Sequence, residues 1–538
     1  MPVVSLLKHG IYQDSVRLMR LSEHLSGLVH VTQAFVAMGT DANKRILAEA
    51  GLLTEPVRGA GANDLVVVVD AASKDAANRA LAEAERLLAA PALKDGPDRG
   101  GPSGPGPCPS LQAGPQPSVA NGVARAAPRT LEQARGRLPD ANLMLISTPG
   151  PYAALDAAKA LHAGMHVFLF SDNVTLEHER ALKHLAVSRG LLMMGPGCGT
   201  AVINGVALAF ANVLKRGPVG VVGAAGTGVQ ELTSLVDRGG VGISQAIGVG
   251  GRDLSDAIGG CMMRQAIALL AADPETAQLV LVSKPPAAAV AARILEAARA
   301  TGKPVVATFL GSDRVGTENG VVFAPTIEAA AEAVLRRATG DERSPYALDP
   351  GEFARLVDGE RHRLQPGQRY LRGLFSGGSL CDEAMHILQG QLGDVYSNIP
   401  LSPALALPDA WRSKAHTCID LGEEEFTRGK PHPMIDMRLR QERLLAEADD
   451  PEVAVILLDV VIGYGSHADP AGALATTIRA ARTKAGAAGR YLAVVAHVCG
   501  TAQDPQGLER QERTLREVGV VVLPTNAQAA RVAAAIVR

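Results

Sequence analysis

The stretch GVVGAAGTGVQEL, residues 220–232, predicts a buried strand, a tight glycine turn and the start of a helix. A related stretch, LFSGGSLCDEA, occurs at residues 374–384. Glycine lets the backbone approach an anion without a Cβ in the way. Exposed N–H groups at a helix N-terminus, together with the helix dipole, attract phosphate or carboxylate. The two stretches therefore predict two anion sites, although any α/β fold also uses such turns for purely structural reasons.

The composition indicates a large cytoplasmic enzyme or enzyme subunit. The chain has 538 residues, which predicts about three or four domains. Its formal net charge of −2 gives no basic field for nucleic acid. Six cysteines without a CxxC pair argue against a zinc ribbon or a disulfide framework. No leader peptide, membrane span or metal-ligand spacing is visible in the sequence.

Alternation of apolar strands and helices predicts an α/β fold with parallel sheets covered on both faces. One boundary is plain, because residues 94–118 read KDGPDRGGPSGPGPCPSLQAGPQPS, which is typical of a flexible linker. The predicted segments are an N-terminal α/β domain (1–92), the linker (93–125), a Rossmann-like domain (126–215) and two flavodoxin-like domains (216–340 and 366–538). A polar link joins the last two.

Several motifs resemble the succinyl-CoA synthetase (acyl-CoA synthetase) superfamily. MGPGCG at 194–199 resembles the turn that closes the CoA-binding domain of the α subunit, and IGVGGRD at 247–253 resembles a later glycine-rich segment. The loops at 418–424, 461–465 and 497–501 resemble those of the β subunit's C-terminal domain. The resemblance implies a CoA-binding-type domain followed by two ligase-type domains whose two glycine turns face one cleft.

The FdrA family, a fused relative of that superfamily, is the closer resemblance. It rests on GIYQDSV (10–16), FSDNVTL (170–176), SKPP (283–286), GKPHPMID (429–436) and LDVVIG (458–463). These motifs spread over almost the whole chain outside the linker.

Two departures bear on the chemistry. Succinyl-CoA synthetases carry a phosphohistidine in a loop after the last sheet strands of the α subunit, whereas the matching residues 312–318 read SDRVGTE and contain no histidine. No ATP-grasp nucleotide domain fits between Arg337 and Gln368. A ligase that uses NTP by itself is therefore not expected.

The glycine turns and the strand ends supply the candidate site residues. The predicted phosphate or substrate contacts are Ala225, Gly226, Thr227, Gly228, Gly250, Gly251, Gly377, Gly378 and Ser379. Arg252 and Lys284 are candidates for neutralising anionic charge. The alternatives are an Arg252–Asp253 pair that only fixes the loop, and a solvated Lys284.

His432 lies between two prolines and is a candidate acid/base, with a structural histidine as the alternative. The resemblance implies CoA, the one candidate cofactor, near Gly195, Pro196, Gly197 and Cys198. Cys198 is expected to be a buried apolar residue rather than a nucleophile.

Members of the family resemble subunits of the carbamoyltransferase of allantoin degradation, which interconverts oxalurate plus phosphate with oxamate plus carbamoyl phosphate. The resemblance implies an acyl or carbamoyl phosphate substrate, further subunits and a homo-oligomer, without nucleic acid or membrane partners. One alternative is an acyl-CoA ligase that works with a separate nucleotide-binding chain. The other is a non-catalytic subunit that binds CoA or a metabolite.

Overall fold

The computed structural model describes residues 2–11, 15–61, 63–89, 128–428 and 430–538. The chain divides into two compact units, Met1–Ala127 with Arg428–Pro431, and Pro128–Thr427 with His432–Arg538. The predicted linker, 93–125, lies outside the described residues. In the parts of the chain that the structure describes, no helix has the length and apolar character needed to cross a membrane.

The first unit is built on a three-stranded antiparallel sheet with strand order β1-β3-β2. Its central strand has a continuous apolar run, and residues 65–69 are buried. The predicted strands at 34–38 and 64–69 are confirmed, whereas half-buried β1 has no clear sequence signal. The elements are β1 (Val3–Lys8), α1 (Ser15–Ser26), β2 (Val31–Met38), α2 (Asp41–Glu49), α3 (Glu55–Arg58), β3 (Leu65–Ala71) and α4 (Lys74–Ala89).

The second unit begins with a small parallel sheet of strand order β4-β5-β6. Thr175 caps its last helix by accepting a hydrogen bond from the His178 N–H, as the predicted helix start requires. The elements are α5 (Leu131–Arg137), β4 (Leu143–Ile146), α6 (Gly150–His162), β5 (His166–Leu169), α7 (Leu176–Ser188) and β6 (Met193–Met194).

The next sheet has eight strands in the order β13-β14-β12-β11-β9-β10-β7-β8. Its centre is parallel, and an antiparallel hairpin lies at each edge. The elements are β7 (Thr200–Ile203), β8 (Val206–Ala209), β9 (Arg216–Gly223), α8 (Gly226–Arg238), β10 (Ile243–Gly248), α9 (Cys261–Ala272), β11 (Gln278–Ser283), α10 (Ala288–Ala300), β12 (Val305–Phe309), β13 (Gly316–Glu318), β14 (Val321–Phe323) and α11 (Ile327–Thr339).

The last sheet has six parallel strands in the order β16-β17-β15-β18-β19-β20. The polar link predicted before it contains a helix, because Asp349 caps an amphipathic segment that starts with Pro350. The elements are α12 (Pro350–Arg361), β15 (Tyr370–Phe375), α13 (Gly378–Leu392), β16 (Val395–Ser397), β17 (His416–Asp420), α14 (Glu424–Thr427), α15 (Arg438–Asp449), β18 (Val453–Val461), α16 (Pro470–Ala487), β19 (Ala493–Cys499), α17 (Leu508–Glu517), β20 (Val521–Leu523) and α18 (Asn526–Val537).

The predicted α/β class is therefore confirmed, with parallel sheets and intervening helices. Helices α8, α11, α13 and α18 contribute to one continuous apolar core, which joins the two larger sheets. The sequence stretches that predicted the two turns thus belong to domains that are packed directly against each other.

Two glutamates fix this packing in a reciprocal way. Glu231 follows Gly226 in α8, and its Oε1 accepts a hydrogen bond of 3.3 Å from the Asn526 N–H at the start of α18. Glu383 occupies the same position after Gly378 in α13, and its Oε1 accepts one of 2.7 Å from the Ile327 N–H of α11. Each ligase-type domain therefore caps the last helix of the other.

Candidate functional site

The two predicted anion turns lie against each other. The Ser379 N–H donates to Thr227 Oγ1 over 3.3 Å. A Cβ on Gly377 would lie 2.7 Å from Thr227 Cγ2, so only glycine leaves room for this contact. The structure thus brings the two turns together, as the resemblance implies.

Both turns start a helix without a side-chain cap. The N-cap residues Ala225 and Gly377 have extended backbones, and neither supplies a capping oxygen. The positive ends of two helix dipoles consequently meet where the turns touch. This arrangement favours an anion such as phosphate, although phosphate binding at the turns remains a prediction.

An internal carboxylate already holds the approach to the second turn. Asp459 accepts hydrogen bonds from the Ser376 N–H at 2.8 Å and the Gly377 N–H at 2.9 Å. Arg440 donates to Asp459 Oδ1 at 2.9 Å, and both side chains are buried. The pair fixes the turn from beneath, and with the Ser379 N–H bonded to Thr227 it leaves the Gly378 and Leu380 N–H groups of α13 for another acceptor.

Asp420 is a site residue that the sequence analysis missed. It ends β17, is 4% exposed, and its Oδ1 accepts a hydrogen bond of 2.9 Å from the Gly422 N–H. Its Oδ2 is 2.5 Å from the position that a Cβ on Gly378 would occupy. Burial and then the charge of Glu423 raise the pKa of Asp420 to about 7. A carboxyl that titrates near neutrality therefore lies beside the second turn.

His432 is placed beside the same loop. A Cβ on Gly422 would lie 2.8 Å from His432 Nε2 and 3.0 Å from Asp420 Oδ1. His432 Nδ1 accepts from the Met434 N–H at 3.2 Å, which requires the ring proton on Nε2. Burial and then the charge of Arg440 lower the pKa of His432 to about 4. The ring is therefore neutral near pH 7, and its Nε2–H is a donor at the site.

Lys284 lies at the end of β11 and faces α13. Its Nζ is 3.4 Å from Asp382 Oδ1, and its side chain is half exposed. One turn further along α13, His386 Nε2 is 3.8 Å from Asp382 Oδ2. Partial burial lowers the pKa of His386, with the Asp382 charge opposing the shift. The structure thus adds Asp382 and His386 to the surroundings of Lys284.

His386 also reaches the loop where the superfamily resemblance implies a histidine. Its ring lies against Gly311, which has φ +82° and no space for a Cβ. The loop after β12 lacks its own histidine, and α13 instead brings one from the other ligase-type domain. The sequence of the loop alone does not indicate that a histidine from α13 lies beside it.

Arg252 is held on the CoA-binding-type domain. Its Nε is 2.7 Å from Glu179 Oε2, and its Nη2 donates to the Val174 carbonyl at 2.7 Å. Asp253 pairs instead with buried Lys183 at 2.9 Å. The alternative of an Arg252–Asp253 pair is therefore wrong. Among the described contacts, none joins Arg252 to either turn, and its catalytic role remains a prediction.

The residues predicted to contact CoA lie close to the first turn. A Cβ on Gly250 would lie only 2.7 Å from the Pro196 carbonyl oxygen. Cys198 Sγ lies 3.5 Å from the Thr200 carbonyl, and Thr200 Oγ1 is 3.9 Å from the position of a Cβ on Gly226. Burial raises the pKa of Cys198 to about 12, which fits the expected inert thiol. Gly251 has open space around its Cα.

Charges of both signs lie around these residues. Gly197 lies against the Asp172 carboxylate. Burial and then the charges of Glu423 and Glu424 raise the pKa of Asp172, and the charge of Arg252 opposes this shift. The carboxylates disfavour the phosphate groups of CoA, whereas the half-exposed Arg252 favours them. Contact of CoA with Gly195, Pro196, Gly197 and Cys198 therefore remains a prediction without electrostatic support.

Three family models match the chain. They are the AllF heavy metal-associated domain at residues 1–102, a CoA binding domain at 215–311 and a CoA-ligase at 374–536. The CoA binding domain match covers a segment predicted to be the first ligase-type domain. Within the described residues, no three His, Cys, Asp or Glu side chains are grouped as metal ligands.

Individual relatives were also found. The chain is 44% identical over 527 residues to the uncharacterized protein YahF of Escherichia coli K12, covering 97% of this chain and 96% of YahF. The structure of PH0766 from Pyrococcus horikoshii OT3 aligns at 15% identity and TM-score 0.31, covering 74% of this chain and 83% of that one. The dinucleotide forming acetyl-coenzyme A synthetase 1 of Ca. Korarchaeum cryptofilum, solved with phosphate and ADP, aligns at 15% identity and TM-score 0.28, covering 73% and 82%.

The YahF match spans almost the whole chain, and the three models follow one another as AllF-type domain, CoA binding domain and CoA-ligase. The chain therefore belongs to the family of YahF, FdrA-like fused relatives of the succinyl-CoA synthetases that join an AllF-type N-terminal domain to CoA-binding and CoA-ligase domains.

Proposed function

We propose that this acyl-CoA-synthetase-like protein is the FdrA-type subunit of a carbamoyltransferase, which interconverts oxalurate plus phosphate with oxamate plus carbamoyl phosphate. The observation that carries the proposal is the contact between two uncapped helix starts through Thr227, Gly377 and Ser379. Such a pair of helix starts suits the phosphate that attacks, and the phosphate that leaves in the reverse direction.

The reaction needs little beyond binding, orientation and charge stabilisation. The N–H groups at the starts of α8 and α13 bind phosphate, and Lys284 offsets part of its charge. The neutral His432 donates from Nε2 to the oxyanion that develops on the carbamoyl carbon. The AllF match at residues 1–102 supports the resemblance from which the substrates are taken.

An acyl-CoA ligase that uses a nucleotide-binding partner chain is the second candidate. The CoA binding domain and CoA-ligase matches favour it. The acidic surroundings of Gly197 speak against it, because CoA carries several phosphate charges. No step in the proposed mechanism passes through CoA.

Isothermal titration of the purified chain with phosphate, carbamoyl phosphate, CoA and ATP tests the proposal. We expect phosphate and carbamoyl phosphate to bind, and ATP not to bind. Gly226→Asp and Gly378→Asp place a negative charge at the helix starts and are expected to weaken phosphate binding at least about 100-fold, equivalent to roughly 2.7 kcal/mol.

Gly359→Asp is the matched control. Gly359 is an exposed residue of α12 with open space around it, so the same added charge is expected to leave phosphate affinity unchanged. Tight CoA and nucleotide binding without any response to carbamoyl phosphate would reject the carbamoyl proposal and favour the ligase. Binding of CoA or a metabolite without turnover, once partner subunits are added, would favour a non-catalytic subunit.

A further inference from the structure

The Asp420 carboxyl has one committed oxygen and one uncommitted oxygen. Oδ1 accepts the Gly422 N–H, whereas no hydrogen-bond donor among the described residues reaches Oδ2. Oδ2 points to Gly378, where a side chain would lie 2.5 Å away. An uncommitted carboxyl oxygen, on a residue that is only 4% exposed, is therefore directed at the first residue of α13.

This position creates a conflict with an anion at the turns. A carboxylate and a phosphate in a largely buried site repel each other strongly, because little water screens them. The other groups facing Asp420 are Glu423 on its own loop, Asp459 of β18, Lys284 after β11, Cys381 of α13 and His432 beside Gly422. Only Lys284 is cationic in this set, so the two acidic neighbours add to the repulsion.

Protonation of Asp420 removes the conflict. Burial and the charge of Glu423 already raise the pKa of this carboxyl to about 7, so the proton costs little free energy near neutral pH. A protonated Oδ2 becomes a donor that points at the bound anion. A repulsive contact is thereby converted into a hydrogen bond.

We propose that the paired turns bind phosphate together with one proton, and that Asp420 is the group that takes up this proton. A second role of Asp420 rests on the proposed carbamoyl transfer. In that reaction, Asp420 donates its proton to the leaving nitrogen. A phosphate oxygen forms a bond to the ureido carbon, the C–N bond breaks, and oxamate leaves with the added proton. The proton of the attacking hydrogen phosphate returns to the Asp420 carboxylate, so atoms and charge balance.

Sulfate is the probe for the binding step, because it remains a dianion over the pH range in which inorganic phosphate itself titrates. Sulfate titrations between pH 6 and 9, in pairs of buffers with different ionisation enthalpies, count the protons taken up. We expect uptake approaching one proton at pH 8, and an affinity that falls about tenfold per pH unit above pH 7. Asp420→Asn keeps an oxygen for the Gly422 N–H, and is expected to bind sulfate without proton uptake and without this pH slope.

Asp172→Asn is the matched control, because the pKa of Asp172 is also raised but its carboxylate faces Gly197 rather than Gly378. Proton uptake is expected to persist in this variant. Sulfate binding without proton uptake in the unmodified chain would overturn the inference while leaving the proposed phosphate site intact. Uptake that persists in Asp420→Asn would show that another group holds the proton. Absence of sulfate and phosphate binding would reject the proposed function as well.

Discussion

Thr227 and Ser379 are 152 residues apart in the sequence and share a hydrogen bond at the point where two helices begin. The glycines around them were predictable, because each turn has a local pattern of strand, glycine and helix. Asp420 was not predictable as a site residue, because its chemistry depends on Gly378 and Asp459, which come from other strands and helices. His386 likewise gains its neighbour Gly311 only through packing.

The Thr227–Gly377 contact predicts a steric effect. Gly377→Ala keeps an acceptable backbone conformation, with φ −117°, but its Cβ lies 2.7–2.9 Å from three Thr227 atoms. The turns must separate, and we expect phosphate affinity to fall at least about tenfold and stability to fall by about 1–3 kcal/mol. Titration calorimetry and thermal melting measure the two effects.

Gly390→Ala, on the exposed face near the end of the same helix, is the control. Nothing lies within 4 Å of its Cβ position, so this change is expected to stabilise the chain by up to about 1 kcal/mol and to leave phosphate affinity unchanged. An equal loss of affinity in both variants would contradict the steric explanation.

At the scale of elements, long buried strands were predictable and short edge elements were not. β18 is a nine-residue strand whose residues are all buried and, apart from Asp459, apolar, and its sequence alone indicates a parallel sheet. The hairpins at the two edges of the eight-stranded sheet consist of strands of three or four residues. Such strands are too short to show a hydrophobic period in the sequence. The reciprocal caps were also hidden, because Glu231 and Asn526 are 295 residues apart.

The two capping glutamates have different electrostatic surroundings despite equivalent positions. Burial would raise the pKa of Glu231, but His497, whose Nε2 lies 2.7 Å from Glu231 Oε2, reverses the shift and lowers it. Among the described residues no histidine faces Glu383, whose Oε2 accepts from Asn526 Nδ2 at 2.8 Å, and burial raises its pKa to about 7. In the other ligase-type domain, the residue that corresponds to His497 is Thr308. His497 pairs with Asp459 across β19 and β18, and Thr308 pairs with Val282 at the same position across β12 and β11.

Amide substitutions should therefore act in opposite directions. Glu231→Gln loses a charged hydrogen bond to His497, and is expected to cost about 1–3 kcal/mol at pH 7. The raised pKa of Glu383 contributes stability that is complete below about pH 4.5 and is lost as the pH rises to about 7. Glu383→Gln removes this pH dependence but gives up the Oε2 acceptor of Asn526, so we expect the difference in stability between variant and unmodified chain to move in favour of the variant by roughly 1–3 kcal/mol from pH 5 to pH 8. Urea unfolding at pH 5 and at pH 8 measures the free energy of unfolding of each variant. Identical pH profiles for the two variants would contradict the expected difference.

For the whole molecule, the buried cores divide between the two units. Two apolar clusters contain only residues before position 90, and three contain only residues after position 130. The boundary at the Pro/Gly-rich segment was predicted from composition, whereas the CoA binding domain match at 215–311 falls on the segment predicted to be the first ligase-type domain. The two ligase-type domains share a core across α8, α11, α13 and α18, which only the folded chain reveals.

Separate cores predict separate folding. We expect residues 128–538, expressed without the N-terminal unit, to unfold cooperatively and to retain phosphate affinity within about threefold, because the three clusters after position 130 lose no residue. Circular dichroism during heating, together with calorimetric titration, tests this expectation. Loss of cooperative unfolding would show that the N-terminal unit is needed for the core of the rest.

The reciprocal caps also set the order in which the chain can finish folding during its synthesis. Glu231 is translated 295 residues before Asn526, and Ile327 is translated before Glu383. At about 5–20 residues per second, Glu231 waits roughly 15–60 s for the helix that it caps. The newly made first ligase-type domain therefore holds a buried carboxylate without this donor until α18 has been made, and a chain that stops before Asn526 would leave it so.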